Sequence, residues 1–148
     1  MNAEDGKQEL LVTREFDLPV ELLFKAYAEA DLLEQWMGTK VLKLENKKHG
    51  SWQFETTDAK GNKYGFNGVI HDFSPNRKIT RTFEMENTSF GVQLEFLEFE
   101  KLTEDTSKLN MHILFRSVEH RDKMLQIGMG QGMNMAHNRL QAIADKLK

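Results

Sequence analysis

The sequence contains no cysteine in its 148 residues. Disulfide bonds, thiolate nucleophiles and cysteine-ligated metal centres are therefore excluded. The chain also has no excess of basic residues, because its formal net charge is −3 at pH 7. Proteins that bind nucleic acid or anionic membranes usually carry a basic surplus, so we expect neither as a partner.

Long apolar segments are absent as well. No run approaches the ~20 residues that span a bilayer, and the N-terminal segment MNAEDGKQEL lacks the basic and apolar parts of a signal peptide. We therefore expect a cytoplasmic protein without membrane association. The length and the hydrophobic content of 39% predict one globular domain over residues 1–148, with residues 1–8 as a flexible N-terminus.

Two kinds of hydrophobic spacing divide the chain. Alternation predicts a strand in LLVTREF and about six more after Gly38, separated by short turn segments such as NKKHG, DAKGN and ENTS. Connections this short join antiparallel strands, since parallel strands need long crossovers. Helical spacing predicts two short helices in DLPVELLFKAYAEADLLEQW and one long amphipathic helix from Leu125 to Leu147. The apolar face of that long helix is expected to cover the sheet.

The order of these segments resembles a known family. VTREFDLPVELLFKAYAEADLLEQWMG, the strand around Trp52, FNGVIHDFSPNRKITRTF and GMGQGMNMAHNRLQAIADKL are similar to activator-of-heat-shock-protein-90-ATPase-like proteins. That family lies within the START-like, or SRPBCC, superfamily, and the resemblance covers nearly the whole chain from Leu11. It implies the α+β helix-grip fold, in which a curved antiparallel sheet of about seven strands wraps around the C-terminal helix, with two short helices after the first strand. It also implies an apolar cavity between sheet and helix.

One strand, NRKITRTFEME, carries an arginine on its apolar face. Arg81 lies between Ile79 and Phe83 on alternate positions, and alternate side chains of a strand share one face. A charge buried there needs a partner. Arg81 is expected either to clamp a ligand carboxylate or polar oxygen with its planar fork of donors, or to form an internal ion pair with Glu95 or Glu98. A bulge that lets the side chain reach the rim is the third interpretation.

Several further side chains are expected to share the space between sheet and helix. Methionine adapts to irregular shapes, so a methionine-walled pocket accepts varied flat or apolar molecules. The alternative is that these side chains only fill the core. Together with Arg81, the candidate ligand-binding residues are Trp36, Trp52, Phe54, Phe66, Phe83, Leu94, Phe96, Gln126, Met129, Met133 and His137.

Three glycines interrupt the start of the predicted C-terminal helix. Gly128, Gly130 and Gly132 each weaken a helix by up to about 1 kcal/mol. They predict either a mouth that opens to admit a ligand, or a helix start or kink.

No catalytic or metal-binding motif is present. The histidines, for example His49 and His112, are never paired at metal-ligand spacing, and no Ser–His–Asp set, nucleophile elbow or carboxylate pair is visible. His137 is expected to hydrogen-bond a ligand, to act as a general base, or to be a satisfied residue at the edge of the core. We therefore assign no catalytic residue, no metal and no cofactor.

Three functions remain open from the sequence. The first is binding of a small apolar or aromatic molecule, lipid-like or polyketide-like, in the cavity, with Arg81, Gln126 or His137 orienting its polar end. The second is a chaperone-interaction module of the heat-shock-protein-90 co-chaperone kind, as the name of the family implies. The third is a cyclase or isomerase that uses the same cavity. A monomer is the expected oligomeric state.

Overall fold

The computed structural model describes all 148 residues. The element order along the chain is β1 (Glu9–Phe16), α1 (Val20–Ala28), α2 (Ala30–Met37), β2 (Lys40–Leu44), β3 (Ser51–Thr57), β4 (Lys63–Ser74), β5 (Lys78–Met85), β6 (Val92–Lys101), β7 (Ser107–Leu114), α3 (Val118–Gln126) and α4 (Met129–Asp145). None of the four helices has the length and hydropathy that a membrane span requires.

All seven strands form one antiparallel sheet in the order β1-β7-β6-β5-β4-β3-β2. Strands β2 to β7 follow one another as a meander, as the short turns predict, and β1 returns to pair with β7. The register shifts between Val41 and Lys43 and between Ile70 and Asp72. Such bulges bend the strand that carries them. The curved sheet with helices on one face confirms the predicted α+β helix-grip fold.

Helices α1 and α2 cover one end of the sheet. Helix α1 begins after Pro19, whose carbonyl accepts the first helical hydrogen bonds, and proline suits this position because it has no N–H to satisfy. Helix α2 ends at Gly38, which has a φ of 65° and therefore adopts the left-handed conformation that glycine favours. The indole Nε1 of Trp36 donates to the carbonyl of Ala26 at 2.8 Å. This bond ties α2 to α1 and fixes the Trp36 ring.

The C-terminal region contains two helices rather than the single long helix predicted from Leu125. Helix α3 begins at the N-cap Ser117, whose hydroxyl accepts the amide of His120. It ends before Gly128, which has a φ of 89°. A side chain at that φ is strained, so the glycine stops α3 and starts α4. The structure thus matches the helix-start interpretation of this glycine. The predicted long C-terminal helix is present, but it begins at Met129 rather than at Leu125.

The core fills the space between the sheet and the helices. Leu140 and Ala144 of α4 belong to one hydrophobic cluster with Leu97, Leu109 and other residues of the inner sheet face. At the N-terminus, Asn2 forms an isolated β-bridge with Leu11. The flexibility of residues 1–8 stays a prediction.

Candidate functional site

A cavity of about 210 Å³ lies between α2, α4 and the central strands of the sheet. Its wall adjoins the packed core, because Tyr27, Trp36, Met111 and Met124 belong to both. Its thirteen lining residues are Tyr27, Trp36, Met37, Arg81, Phe83, Gln93, Glu95, Met111, Met124, Met129, Met133, Ala136 and His137.

Methionine dominates the apolar part of the wall. Five of the eight methionines of the chain line the cavity, contributed by α2, β7, α3 and α4. Their unbranched, polarisable side chains adjust to the shape of a neighbour at little cost. Trp36 and Phe83 provide flat aromatic surface on two sides. The wall is therefore adaptable where methionine covers it and rigid where aromatic rings do.

A hydrogen-bonded charge pair forms the polar end of the cavity. Arg81 of β5 and Glu95 of β6 are direct cross-strand partners. The Nε of Arg81 donates to Oε1 of Glu95 at 2.9 Å, and the Nε2 of Gln93 donates to Oε2 at 2.8 Å. Both carboxylate oxygens thus have a donor, which a buried carboxylate requires. The structure shows the internal-pair interpretation of Arg81, with Glu95 as partner, whereas Glu98 is exposed on the other face of the sheet.

Arg81 keeps unused hydrogen-bonding capacity. Its guanidinium lies over the ring of Trp52, 5.3 Å from the centroid, which is cation–π distance. Only Nε is engaged by a protein acceptor, so the donors on the two terminal nitrogens make no hydrogen bond to the protein. With its side chain 10% exposed, Arg81 has little access to bulk water. These donors are available to a molecule in the cavity.

His137 is joined to Tyr27 across the helical side of the cavity. The imidazole Nε2 and the phenol oxygen lie 2.8 Å apart, and both residues are buried. Burial, together with the positive charge of Arg14, lowers the pKa of His137 to about 4, and burial raises the pKa of Tyr27 above its usual range. Both groups are therefore neutral at pH 7. An imidazole with this pKa is a weak general base at neutral pH, because too little proton affinity remains.

A surface groove adjoins the cavity on the side of β1. There Arg14 donates to the side-chain oxygens of Asn134 and Asn138, at 3.1 and 2.7 Å. Met133 and His137 line both the groove and the cavity. These two side chains therefore lie between the groove and the cavity.

Six of the residues predicted from the sequence line the cavity. They are Trp36, Arg81, Phe83, Met129, Met133 and His137. Three others belong to the neighbouring core. Trp52 and Phe54 are fully buried, 4.7 Å apart between ring centroids, and Phe66 packs 5.5 Å from Phe83.

The placement of Leu94 and Phe96 on the inner face is wrong. In β6 the inward residues are Gln93, Glu95 and Leu97, so Leu94 and Phe96 point to the outer face. Phe96 lines a shallow pocket on that outer surface. The sequence is ambiguous because apolar residues occur on both faces of this strand. Gln93 and Glu95 lie on the inner face because they pair with each other and with β5.

Gln126 does not reach the cavity either. It is the last residue of α3, is exposed, and lines a separate surface pocket with Gly128. The predicted continuous helix placed it one turn from Met129 on the same face. The break at Gly128 turns the two helices away from each other, so that helical spacing no longer holds across it.

Seven lining residues were absent from the candidate set: Tyr27, Met37, Gln93, Glu95, Met111, Met124 and Ala136. Gln93 could have been identified from the sequence, because it lies two positions before Glu95 and therefore on the same face of its strand. Arg81, on the apolar face of the preceding strand, calls for polar partners there. No local signal marks Tyr27, whose partner His137 lies 110 residues further along the chain.

The sequence matches a family model over residues 17–145, described as Activator of Hsp90 ATPase homolog 1-like protein. No curated protein matches it. The fold is similar to protein Ms6760 of Mycobacterium smegmatis, with a TM-score of 0.84, 21% identity, and coverage of 93% of this chain and 90% of the other. A Rhodobacter sphaeroides protein gives a TM-score of 0.85 at 21% identity, with 98% and 97% covered. An HSP90 activator from Plasmodium falciparum gives 0.60 at 19% identity, with 73% of each chain covered.

Proposed function

The chain belongs to the family of Activator of Hsp90 ATPase homolog 1-like proteins, and from that premise we propose that it binds a small apolar or aromatic molecule in the cavity between the sheet and α4. The observation that carries the proposal is the composition of the cavity wall. Apolar and aromatic side chains surround a space that has one hydrogen-bonding end. This combination of apolar walls with a few convergent polar groups is typical of small-molecule sites.

The volume of the cavity limits the size of the ligand. Drug-sized ligands occupy pockets of roughly 300–1,000 Å³, and benzene fits an apolar cavity of about 150 Å³. At about 210 Å³ the cavity matches a molecule with one ring and a short substituent. A lipid-like or polyketide-like ligand would need the methionine side chains to move outward. We therefore favour a compact aromatic ligand over a long-chain one.

Thermal unfolding with toluene tests the proposal. A ligand that binds only the folded state stabilises it by about 2.7 kcal/mol at a concentration of one hundred times Kd, which raises Tm by several degrees. Ala136→Leu fills the cavity from α4 and is expected to abolish this rise. Ala142→Leu is the matched control, since Ala142 is exposed on the same helix, and it is expected to keep the rise.

Each Tm shift is measured against the ligand-free protein of the same variant, so that effects of the substitution on stability cancel. An unchanged Tm in the unsubstituted protein with one-ring ligands would reject the proposal. An equal shift in Ala136→Leu and in the unsubstituted protein would place the ligand elsewhere.

A contact with an Hsp90-type chaperone is the second candidate function. The family and the Plasmodium HSP90 activator suggest it, and an exposed apolar cluster on the outer face of the sheet favours it. There Leu11, 40% exposed, lies beside Phe96 and Leu114 in a shallow pocket. Both candidate functions fit a cytoplasmic monomer, which we retain as part of the proposal.

Stimulation of the ATPase activity of an Hsp90 tests this second function. If the outer cluster makes the contact, the unsubstituted protein raises the ATPase rate, Phe96→Asp does not, and Ala136→Leu still does. No stimulation at high protein concentration would exclude this function.

A further inference from the structure

We infer that the cavity selects a neutral ligand which both donates and accepts hydrogen bonds, and that it discriminates against carboxylates even though an arginine lines it. The inference rests on the proposed function, because it names the ligand class of the same cavity. It opposes the first of the three interpretations of Arg81 from the sequence, in which the guanidinium clamps an acidic group.

The two charges at the polar end of the cavity oppose each other. Arg81 and Glu95 form an ion pair at 2.9 Å, with side chains only 10% and 5% exposed. The polar end of the cavity thus holds one positive and one negative charge side by side. A ligand carboxylate attracted by Arg81 is repelled by Glu95 from nearly the same distance, so the two effects largely cancel. The cost of removing the carboxylate from water then has no compensation.

The other titratable groups that face the cavity are His137 and Tyr27. His137 and Tyr27 are hydrogen-bonded to each other at 2.8 Å. The pKa of His137 is lowered to about 4 by burial, so the ring adds no positive charge at neutral pH. Arg14, the remaining nearby cation, is engaged by Asn134 and Asn138 in the surface groove. No unopposed cation is therefore available to hold an anion.

Both members of the ion pair keep unused hydrogen-bonding capacity. The terminal nitrogens of Arg81 carry donors without a protein acceptor. Each oxygen of Glu95 has one donor, from Arg81 or from Gln93, and a carboxylate oxygen has room for a second. Free donors and free acceptor positions therefore lie next to each other. A primary amide, a lactam or a phenol with a neighbouring carbonyl is complementary to this arrangement, while a carboxylate supplies acceptors only.

Calorimetric titration with three ligands of one shape tests the inference. Benzamide, benzoate and benzamidine each have about nine non-hydrogen atoms, which suits the cavity, and they are neutral, anionic and cationic at pH 7. We expect benzamide to bind at least about tenfold more tightly than benzoate, which corresponds to ~1.4 kcal/mol. Benzamidine is also expected to bind more weakly than benzamide, because its repulsion by Arg81 and its attraction to Glu95 largely cancel and the cost of removing its charge from water remains.

A single substitution is expected to reverse this preference. Glu95→Gln removes the negative charge, keeps the shape and leaves Arg81 unopposed, so the affinity for benzoate is expected to rise at least about tenfold. Glu98→Gln is the matched control on the same strand, because Glu98 is exposed on the outer face. It is expected to leave all three affinities unchanged.

The outcomes separate the inference from the proposed function. If benzoate binds the unsubstituted protein as tightly as benzamide, the inference is wrong, but binding in the cavity stands. If neither these ligands nor toluene bind, the proposed function fails and the inference fails with it. The comparison of ligands in the unsubstituted protein decides the matter even where Glu95→Gln does not fold.

Discussion

Arg81 and Glu95 depend on each other for their place in the protein interior. Removing one member of a buried ion pair leaves the other charge without compensation, at a cost of about 3–5 kcal/mol. We therefore predict that Arg81→Met lowers the free energy of unfolding by that amount. The double substitution Arg81→Met with Glu95→Met is expected to lose much less, because no charge stays buried.

Urea denaturation measures these differences, and an exposed pair provides the control. Lys78 and Asp72 lie 3.1 Å apart with side chains 44% and 37% exposed. Such surface pairs contribute at most about 1 kcal/mol, so Lys78→Met is expected to have a small effect. A loss from Arg81→Met no larger than that from Lys78→Met would contradict the account of the pair.

His137 makes stability depend on pH in the acidic range. Its pKa is about 4 in the folded protein against an ordinary value of 6.5. Between these values the unfolded chain binds a proton that the folded protein does not, so stability falls as pH drops from about 6.5 towards 4. The shift corresponds to roughly 3 kcal/mol, which is fully present above pH 6.5 and lost at about pH 4.

Denaturation at several pH values between 4 and 7 checks this prediction. His137→Gln is expected to flatten the pH dependence, since it removes the titrating group. His71→Gln is the control, because His71 is exposed, and it is expected to keep the slope. If stability depends on pH as steeply in His137→Gln as in the unsubstituted protein, other titrating groups cause the dependence.

At the scale of elements, the break between α3 and α4 rests on one glycine. Gly128 has a φ of 89°, whereas Gly132 lies inside α4 with open space where a side chain would be. Gly128→Ala is expected to cost about 1 kcal/mol, because alanine is strained at positive φ. Gly132→Ala is expected to stabilise the protein by roughly 0.5–1 kcal/mol, because alanine favours the helix.

Thermal unfolding of both variants provides the comparison, since the two sites differ by one helical turn and by backbone conformation. Equal effects of the same sign would show that backbone conformation does not control this region. A loss of stability in Gly128→Ala together with a gain in Gly132→Ala would support a fixed break at the start of α4.

The sequence predicts elements well where one periodicity is unambiguous. Strands β1 and β5 and helices α1 and α2 have a single apolar face, and each appears as predicted. The inner face of strand β6 was harder to predict, because Leu94 and Phe96 lie on one face while Leu97 and Phe99 lie on the other. Local spacing cannot choose between the faces. The choice is made by the partners across the sheet, where Arg81 requires Glu95.

For the whole molecule, the cavity depends on contacts between distant parts of the chain. Arg81 and His137 were identifiable as unusual residues on apolar faces, and both line the cavity. Their partners were harder to predict, since the bond to Tyr27 spans 110 residues. Whether a space stays open is also a property of the assembled fold, because it depends on how far α4 lies from the sheet.

A ligand in this cavity would touch its methionine side chains, and methyl NMR of methionine-labelled protein detects that contact. The five cavity methionines are Met37, Met111, Met124, Met129 and Met133. The other three, Met1, Met85 and Met135, lie outside the lining and serve as internal controls. On titration with benzamide we predict saturable shifts of the five cavity methyl signals and unchanged control signals. Unchanged signals throughout, or shifts confined to the three controls, would contradict the account.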